Sequence, residues 1–225
     1  MEIIITKDGS RTIAIAEQKV TYRSLHGAKS ESQHVFVEAG LLFTASVNAN
    51  RPLRILEMGF GTGLTTLLTL QACSDHNIEV DYTSIELYPI PAEMATALHF
   101  EDLLHQKDLT EAFLKLHAAP EKIKHQITPN FSFTKHFQEI SKLTEDITGF
   151  DLIYFDAFAP SAQPELWTQE IFSLLGSRCR PQAILCTYCS KSIVRKAMQQ
   201  AGWLVKKIQG PRGKREMVRA HWMGI

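Results

Sequence analysis

The residues with the clearest chemical potential are an acid and three glycines in the pattern Glu57-x-Gly59-x-Gly61-x-Gly63. Glycine has no Cβ, so alternating glycines let the backbone turn tightly and let a ligand approach it closely. The sequence LTTLLTL that follows has the apolar density of a helix, and the N–H groups at a helix start attract an anion. The pattern therefore predicts an anion-binding turn between a strand and a helix.

Two further acids end apolar runs and could face the same ligand. Glu86 ends the run EVDYTSIE. In doubly wound α/β folds, an acid about 20 residues beyond the glycines accepts hydrogen bonds from ribose hydroxyls, and Glu86 lies at about that distance. Asp156 ends the run FDLIYF, and small residues and Pro160 then stop regular structure. That position would place Asp156 in the crevice beside the glycine turn. For Glu86 the alternative is a solvated acid at a strand end.

A parallel sheet would bring these residues together. A strand at residues 54–56, the glycine turn and a helix at 64–70 make the first unit of a doubly wound α/β sheet, with its ligand crevice beyond the carboxyl ends of the strands. We predict further strands at 79–87, 131–134, 150–155, 183–188, 203–208 and 216–221, and helices at 92–104, 111–117, 142–148 (weak), 164–175 and 190–201.

The first 50 residues are predicted to be an extension of the ligand-binding domain, which would span residues 51–225. Apolar runs at 2–6 and 12–16 flank Asp8-Gly9, a pair that suits a tight hairpin turn. Residues 22–36 are polar and weakly periodic, which indicates a loop leading to a helix. That segment is either a lid over the crevice or an ordinary connector.

Composition indicates a single globular protein. With 225 residues, of which 44% are hydrophobic, the chain can bury a core without disulfides. Cys186 and Cys189 match C-x-x-C, but Cys186 lies inside a predicted strand and a metal would need two more ligands. We expect buried, unreactive cysteines and no metal.

The chain shows neither of the usual signs of a membrane or secreted protein. It has no apolar run of about 18 residues, and its start, MEIIITKDGSR, does not resemble a signal peptide. We expect a cytoplasmic protein that does not enter a membrane.

The net charge of zero hides an asymmetry along the chain. From Arg178 onward there are eleven Lys and Arg residues and one acid, Glu216, whereas the preceding residues carry thirteen Lys and Arg and 23 acids. Such asymmetry indicates either a polyanionic partner or a few solvated basic faces. The candidate phosphate-binding residues are Lys191, Arg195, Lys196, Arg212, Lys214 and Arg215.

The acid followed by three alternating glycines resembles the first motif of S-adenosylmethionine-dependent methyltransferases. Dinucleotide enzymes usually have the spacing G-x-G-x-x-G instead. Another adenosyl or dinucleotide ligand and a purely structural turn are the alternatives.

Further motifs extend the resemblance over most of the chain. Asp156 is followed by Phe158-Ala159-Pro160 and then by Pro164, Trp167 and Thr168, and the chain later contains Lys214-Arg215-Glu216-Met217. Weaker matches are Tyr22, Ser24, Gly27, Glu31, Val35, Phe36, Pro89, Val194-Arg195, Ala201-Gly202 and Gly210. Together these residues resemble the methyltransferase domain of the MnmC family of bacterial tRNA wobble-uridine modification proteins.

The resemblance implies a fold and a reaction. The fold is an α/β, Rossmann-like class I methyltransferase, with a mostly parallel sheet, an antiparallel closing strand and a small N-terminal β-hairpin. The reaction is methyl transfer from S-adenosylmethionine to the primary amine of 5-aminomethyl-2-thiouridine in tRNA. A separate enzyme would then generate that amine, because the 225 residues leave no room for the family's FAD-dependent domain.

The resemblance also implies roles for single residues. Cofactor binding is expected from Glu57, Gly59, Phe60, Gly61, Thr62, Gly63, Glu86, Leu87 and Asp156. The reaction is expected at Asp156, Phe158 and Pro160, and substrate or tRNA contacts at Tyr22, Glu31 and Trp167 with the basic residues above. The turn after the third strand, which we place at residues 133–137, lacks the family's acid near the adenine.

Two other functions fit parts of the pattern. An aminopropyl-transferring enzyme would use the same glycine turn with an acidic amine pocket. A binding module would keep the fold without catalysis.

Overall fold

The computed structural model describes residues 1–17, 19–48, 51–100 and 107–224. Its main sheet contains eight strands in the order β10-β11-β9-β8-β4-β5-β7-β6. The strands are β4 (Leu53–Met58), β5 (Val80–Glu86), β6 (His125–Thr128), β7 (Phe131–Phe137), β8 (Phe150–Phe155), β9 (Cys179–Thr187), β10 (Trp203–Gln209) and β11 (Glu216–Trp222).

The five central strands are parallel, and β11 runs antiparallel between β9 and β10. The predicted α/β fold with an antiparallel closing strand is confirmed. β6, a short strand that pairs antiparallel with β7 at the opposite edge, was not predicted from the sequence.

Helices cover both faces of this sheet. They are α1 (Ala28–Ser32), a π-helical stretch (Gln33–Leu42), α2 (Phe43–Val47), α3 (Leu64–His76), α4 (Ala92–Thr96), α5 (Lys107–Ala118), α6 (Gln169–Ser177) and α7 (Ser192–Gln200). All six residues of β8 are buried, as expected for a strand covered on both faces. Two apolar clusters, one on each face, form the core.

The N-terminal extension begins with a small separate sheet. The predicted hairpin is confirmed as β1 (Glu2–Ile5) and β2 (Arg11–Ile15), and β3 (Val20–Thr21) adds an unpredicted third strand. The helical stretch that follows packs on the main sheet, with Val35, Phe36 and Leu41 fully buried. The extension therefore shares the core of the rest of the chain.

Some predicted element boundaries were wrong for local reasons. The helix predicted at 164–175 is divided into a 3₁₀ turn, Pro164–Leu166, and α6, which begins at Gln169 because Thr168 caps it by accepting a hydrogen bond from the Ile171 amide at 3.4 Å. The weak helix predicted at 142–148 is absent: a 3₁₀ turn ends at Lys142, and residues 143–148 are irregular. In the helix predicted at 92–104, the structure shows Ala92–Thr96 as helical, and residues 101–104 lie outside the described residues.

The cysteines are free thiols. Cys186 and Cys189 are buried, as predicted, and burial raises the pKa of the Cys186 thiol to about 12. In the described part of the chain, no three His, Cys, Asp or Glu side chains are placed to hold a metal ion. Within those same residues, each helix is too short or too polar to cross a bilayer.

Candidate active site

Three neighbouring strands end side by side and bring the predicted chemical residues together. Met58 of β4 pairs with Ile85 of β5 and with Phe155 of β8. The next residues of those strands are therefore adjacent at one edge of the sheet. The Gly59 amide donates to the Ile85 carbonyl at 2.9 Å, and the Asp156 amide donates to the Met58 carbonyl at 3.1 Å.

The glycine loop, residues 59–63, requires its three glycines. Gly59, Gly61 and Gly63 have φ of +90°, +51° and +76°, which L side chains rarely adopt. A Cβ on Gly59 would lie 2.9 Å from the Asp156 carbonyl oxygen, and one on Gly61 would lie 3.0 Å from Tyr22 Cδ1. The loop thus has both the conformation and the close surroundings that exclude other residues.

Polar groups at this loop are left without protein partners. The Thr62 and Thr65 hydroxyls are buried and unbonded within the described residues. Gly63 precedes the first turn of α3, and no described side chain caps that end of the helix. Buried polar groups cost free energy unless they are hydrogen-bonded, so this end of the helix is suited to a polar ligand.

A buried histidine holds the outer side of the glycine loop. His117 Nε2 lies 3.3 Å from the Thr62 carbonyl oxygen, and the ring packs on Phe60 and Phe113. Burial lowers the pKa of His117 to about 4, so the ring is neutral at pH 7. Because a carbonyl can only accept, Nε2 is the donor in this contact.

Glu86 lies at the end of β5 against the same loop. Its carboxylate accepts from the Gly61 amide at 2.9 Å and from the Tyr88 amide at 2.8 Å. Burial raises the pKa of Glu86, and these backbone hydrogen bonds oppose that shift. Glu86 therefore borders the crevice, and it also fixes the central glycine of the loop.

Glu57 has a different position from the one expected of a cofactor contact. Its side chain is fully buried beneath the loop, where Oε2 accepts from Thr66 Oγ1 at 2.8 Å and from Ser84 Oγ at 2.9 Å. Oε1 has no hydrogen-bond partner among the described residues. Burial consequently raises the pKa of Glu57 to about 7. The expectation of direct contact does not fit this burial; Glu57 supports the loop from below.

Asp156 forms a buried ion pair with Arg23 of the N-terminal extension. Arg23 Nη1 donates to Asp156 Oδ2, and the two side chains are only 3% and 7% exposed. Arg23 was not predicted as a site residue, because no periodicity or motif distinguishes it within a polar segment. Its one sequence signal is its position directly after Tyr22.

The two carbonyls that follow Asp156 are held by side chains from elsewhere. Tyr188 Oη donates to the Ala157 carbonyl at 2.9 Å, and Trp167 Nε1 donates to the Phe158 carbonyl at 2.8 Å. The Phe158 amide donates to Gln163 Oε1 at 3.1 Å. The 156–160 loop is therefore fixed on both sides of Phe158.

The aromatic residues predicted to meet the substrate separate into two groups. Tyr22 and Phe158 contact each other edge to face at 5.3 Å between ring centroids, and both are partly exposed at the crevice. Trp167 is 4% exposed and packs on Phe155 in the core. The expectation that Trp167 contacts tRNA does not fit this position; it holds the 156–160 loop instead.

Lys214 lies at the crevice, contrary to our assignment of it to an outer phosphate-binding surface. Its Nζ is 2.5 Å from Glu31 Oε2 and 4.0 Å from the centroid of the Tyr188 ring. Glu31 is 9% exposed in this ion pair. A long-range contact thus joins the C-terminal hairpin to the extension, next to the tyrosine that holds Ala157.

The other predicted phosphate-binding residues lie at the surface. Lys191, Lys196, Arg212 and Arg215 are exposed, and Arg195 is half-buried with its Nε donating to the Ser190 carbonyl at 3.1 Å. They lie on α7, just before it, and on the turn between β10 and β11.

The loop after the third parallel strand begins later than expected. β7 continues to Phe137, so the loop starts at Gln138 and contains the acid Glu139. Residues 133–137, where we placed this turn, are strand. The predicted position of this turn was therefore wrong.

The sequence and the fold both match known methyltransferases. Residues 102–222, more than half of the chain, match the family described as S-adenosyl-L-methionine-dependent methyltransferase. The chain superposes on the crystal structure of MnmC2 from Aquifex aeolicus with a TM-score of 0.74 and 25% identity, covering 99% of this chain and 70% of that one.

Two curated relatives share the name MnmC. The tRNA 5-methylaminomethyl-2-thiouridine biosynthesis bifunctional protein MnmC of Nitrosospira multiformis is 28% identical over 218 residues, which cover 90% of this chain and 34% of that protein. The MnmC protein of Campylobacter hominis is 29% identical over 203 residues, with 87% and 30% covered. This chain spans about a third of the length of these relatives.

Proposed function

This chain belongs to the S-adenosyl-L-methionine-dependent methyltransferase family, and from that premise we propose that it methylates an amine of tRNA. The substrate would be the primary amine of 5-aminomethyl-2-thiouridine at the wobble position. The observation that carries the proposal is the position of Asp156 beside the glycine loop. The relatives are named for the biosynthesis of 5-methylaminomethyl-2-thiouridine, the nucleoside that this methylation would produce.

The residues at the glycine loop fit S-adenosylmethionine. The three glycines, the uncapped start of α3 and the unpaired Thr62 hydroxyl would receive its polar methionine end, and Glu86 would accept from its ribose. When bound, the cofactor supplies an electrophilic methyl group. In a titration calorimeter, Glu86→Ala should bind it about 10–100-fold more weakly, since a hydrogen bond to a charged group contributes about 1.5–3 kcal/mol.

The reaction requires the amine to be held and to be uncharged. An alkylamine with a pKa near that of lysine, about 10.4, pays about 4–5 kcal/mol for deprotonation at pH 7. Asp156 can orient the amine nitrogen, and fixed geometry lowers the barrier by avoiding loss of freedom during reaction. The Phe158 ring, which Tyr22 contacts edge to face, would stack on an everted base.

An aminopropyl-transferring function is less well supported by this site. That chemistry needs free carboxylates to bind a polyamine, whereas here Asp156 is paired with Arg23 and Glu31 with Lys214.

We infer that residues 1–50 are an extension that completes the active site of residues 51–225, because it supplies Tyr22, Arg23 and Glu31.

A basic surface next to the crevice supports a tRNA substrate. Among the exposed cations, Lys191 and Lys196 lie just before α7 and on it, and Arg212 and Arg215 lie on the turn between β10 and β11, which also carries Lys214. Phosphate contacts of this kind release counterions, so tRNA affinity should fall steeply as salt rises. A tRNA substrate would place the enzyme in the cytoplasm, with another enzyme generating the amine.

The deciding experiment supplies labelled S-adenosylmethionine and tRNA that carries the free aminomethyl group. Nucleoside analysis should find label in 5-methylaminomethyl-2-thiouridine. Label in no nucleoside, together with cofactor binding, would reject the tRNA substrate. Absence of calorimetric heat with the cofactor would instead support a non-catalytic module.

The basic surface has its own test with a matched control. Arg212→Ala/Arg215→Ala should weaken tRNA binding and flatten its salt dependence by about one unit of slope per lost contact. The control, Lys115→Ala/Lys142→Ala, removes two exposed lysines from other parts of the chain. Equal effects of both pairs would show that only net charge matters.

A further inference from the structure

We propose that Arg23 is a positioning residue for the methyl transfer: it fixes the Asp156 carboxylate and balances its charge, so that Asp156 can orient an uncharged amine. The inference rests on the proposed amine substrate. It concerns a residue outside the glycine loop, the 156–160 loop and the basic surface.

The backbone of Arg23 is held firmly by its own neighbours. Its amide donates at 3.0 Å to the hydroxyl of Thr12, which is fully buried in β2. Its carbonyl accepts from Thr21 Oγ1 at 2.8 Å. The guanidinium lies over the Phe36 ring, 5.8 Å from the centroid. The small N-terminal sheet therefore holds the Arg23 guanidinium in a fixed position at the crevice.

The Arg23 cation forms its ion pair with Asp156. Within the described residues, Asp156 is the one carboxylate in direct contact with the Arg23 guanidinium. Burial lowers the pKa of Arg23, while Glu57, Glu31, Tyr82 and Tyr188 act on it through space and favour its charged form. Arginine stays protonated in proteins, so the pair carries no net charge.

A neutral pair solves a specific difficulty of amine methylation. An isolated carboxylate beside an amine favours the ammonium form, which has no lone pair to react. In the transfer, one proton leaves the nitrogen for bulk water. The nitrogen lone pair then forms the N–C bond as the methyl–sulfur bond breaks, giving a secondary ammonium and a neutral thioether. With Arg23 present, Asp156 can accept a hydrogen bond from the amine with less stabilisation of the charged form.

A double-mutant cycle tests whether Arg23 acts through Asp156. The variants are Arg23→Gln, Asp156→Asn and the double variant, with Arg23→Lys as the conservative change. Single-turnover methylation with saturating tRNA should fall about 100-fold in Arg23→Gln, and the double variant should be no slower than Asp156→Asn alone. Arg23→Lys should recover part of the rate, and the rate of Arg23→Gln should level off at a higher pH than that of the wild type.

Two measurements that need no catalysis test the role of Arg23 independently of the proposed methylation of tRNA. Melting of the cofactor-free variants should show the same non-additivity, and calorimetry should give cofactor affinities within about threefold of wild type. The control Arg11→Gln alters another arginine of the extension, whose Nη1 donates to the Leu98 carbonyl at 3.4 Å, and should keep the rate and the pH profile.

The possible outcomes separate the two ideas. Additive effects of Arg23 and Asp156 on rate and on melting, or an unchanged pH profile in Arg23→Gln, would overturn the positioning role. If Arg23→Gln does not fold, the cycle is run with Arg23→Lys in its place, and additive effects of Arg23→Lys and Asp156→Asn on rate and on melting would overturn the role. Failure of the wild-type protein to methylate tRNA would reject the proposed function, whereas the melting cycle would still report on the pair.

Discussion

The glycine loop and the 156–160 loop lie side by side but are held in different ways. The glycine loop takes its shape mainly from its own positive-φ glycines, and Glu86 and His117 hold it by hydrogen bonds to its backbone. The 156–160 loop is held by Arg23, Tyr188 and Trp167, and the first of these is 133 residues away from its partner. The backbone conformation on the cofactor side of the crevice is thus set largely within the loop itself, whereas the reaction side depends on contacts between residues far apart in the sequence.

This difference separates binding from chemistry. Changes in the glycine loop should act on cofactor affinity, and changes around Asp156 should act on rate. The N-terminal extension and the C-terminal hairpin meet at the reaction side through Glu31 and Lys214. Each of the following predictions tests one part of this division.

The largest effect is expected at Asp156. Asp156→Ala should lower single-turnover methylation about 1000-fold, or about 4 kcal/mol of barrier, because it removes the group that orients the amine. Cofactor affinity by calorimetry should change little. A loss of less than about tenfold would argue against a direct role in the transition state.

A large pH-dependent effect is expected from Glu57. Its pKa is raised from 4.5 to about 7, so the folded protein holds a proton that the unfolded chain releases between these values. Its contribution to stability is full below pH 4.5 and is lost as pH rises through about 7. At about 1.4 kcal/mol per pKa unit, the loss is about 3 kcal/mol.

Urea unfolding at pH 5 and pH 8 measures this contribution. The wild type should lose about 2–3 kcal/mol more than Glu57→Gln over this interval, because the amide does not titrate. Equal losses in the two proteins would mean that Glu57 is already ionised at pH 5.

The glycine loop should respond specifically to an added methyl group. Gly61→Ala places a Cβ 3.0 Å from Tyr22 at φ +51°, so cofactor affinity should fall about tenfold or more. The matched control is Gly9→Ala, at φ +84° with nothing within 4 Å of the new Cβ. Both variants should lose about 1–2 kcal/mol of stability from backbone strain, and only Gly61→Ala should lose cofactor affinity. Equal affinities would place the ligand elsewhere.

The smallest effect is expected at Lys214. Lys214→Ala removes the ion pair with Glu31 and the contact with Tyr188, so the 156–160 loop should be less well held. A partly exposed pair of this kind contributes about 1 kcal/mol, which corresponds to about a fivefold slower single turnover with saturating tRNA. Lys115→Ala, which removes an exposed lysine paired with Glu111 on α5, should leave that rate unaltered. An unchanged rate in Lys214→Ala, together with weaker tRNA binding, would return Lys214 to the phosphate-binding surface.

The sequence determined those features that depend on neighbouring residues. Alternating glycines after a strand predicted the loop, because positive φ at those positions is a local requirement. The apolar run before Asp156 predicted a buried parallel strand, and parallel strands place their carboxyl ends together. The positions of Glu86 and Asp156 at the crevice followed from these two facts.

Only the tertiary structure decided which partner each charged group has. Nothing in the local pattern indicates that Arg23 reaches Asp156, or that Lys214 pairs with Glu31 and not with a phosphate. The same holds for Trp167. An aromatic ring can stack on a nucleobase or pack in a protein core, and only the contact with Phe155 shows that this ring lies in the core. Ion pairs and ring contacts depend on distances between segments far apart in the chain, and the periodicity of a sequence carries no information about those distances.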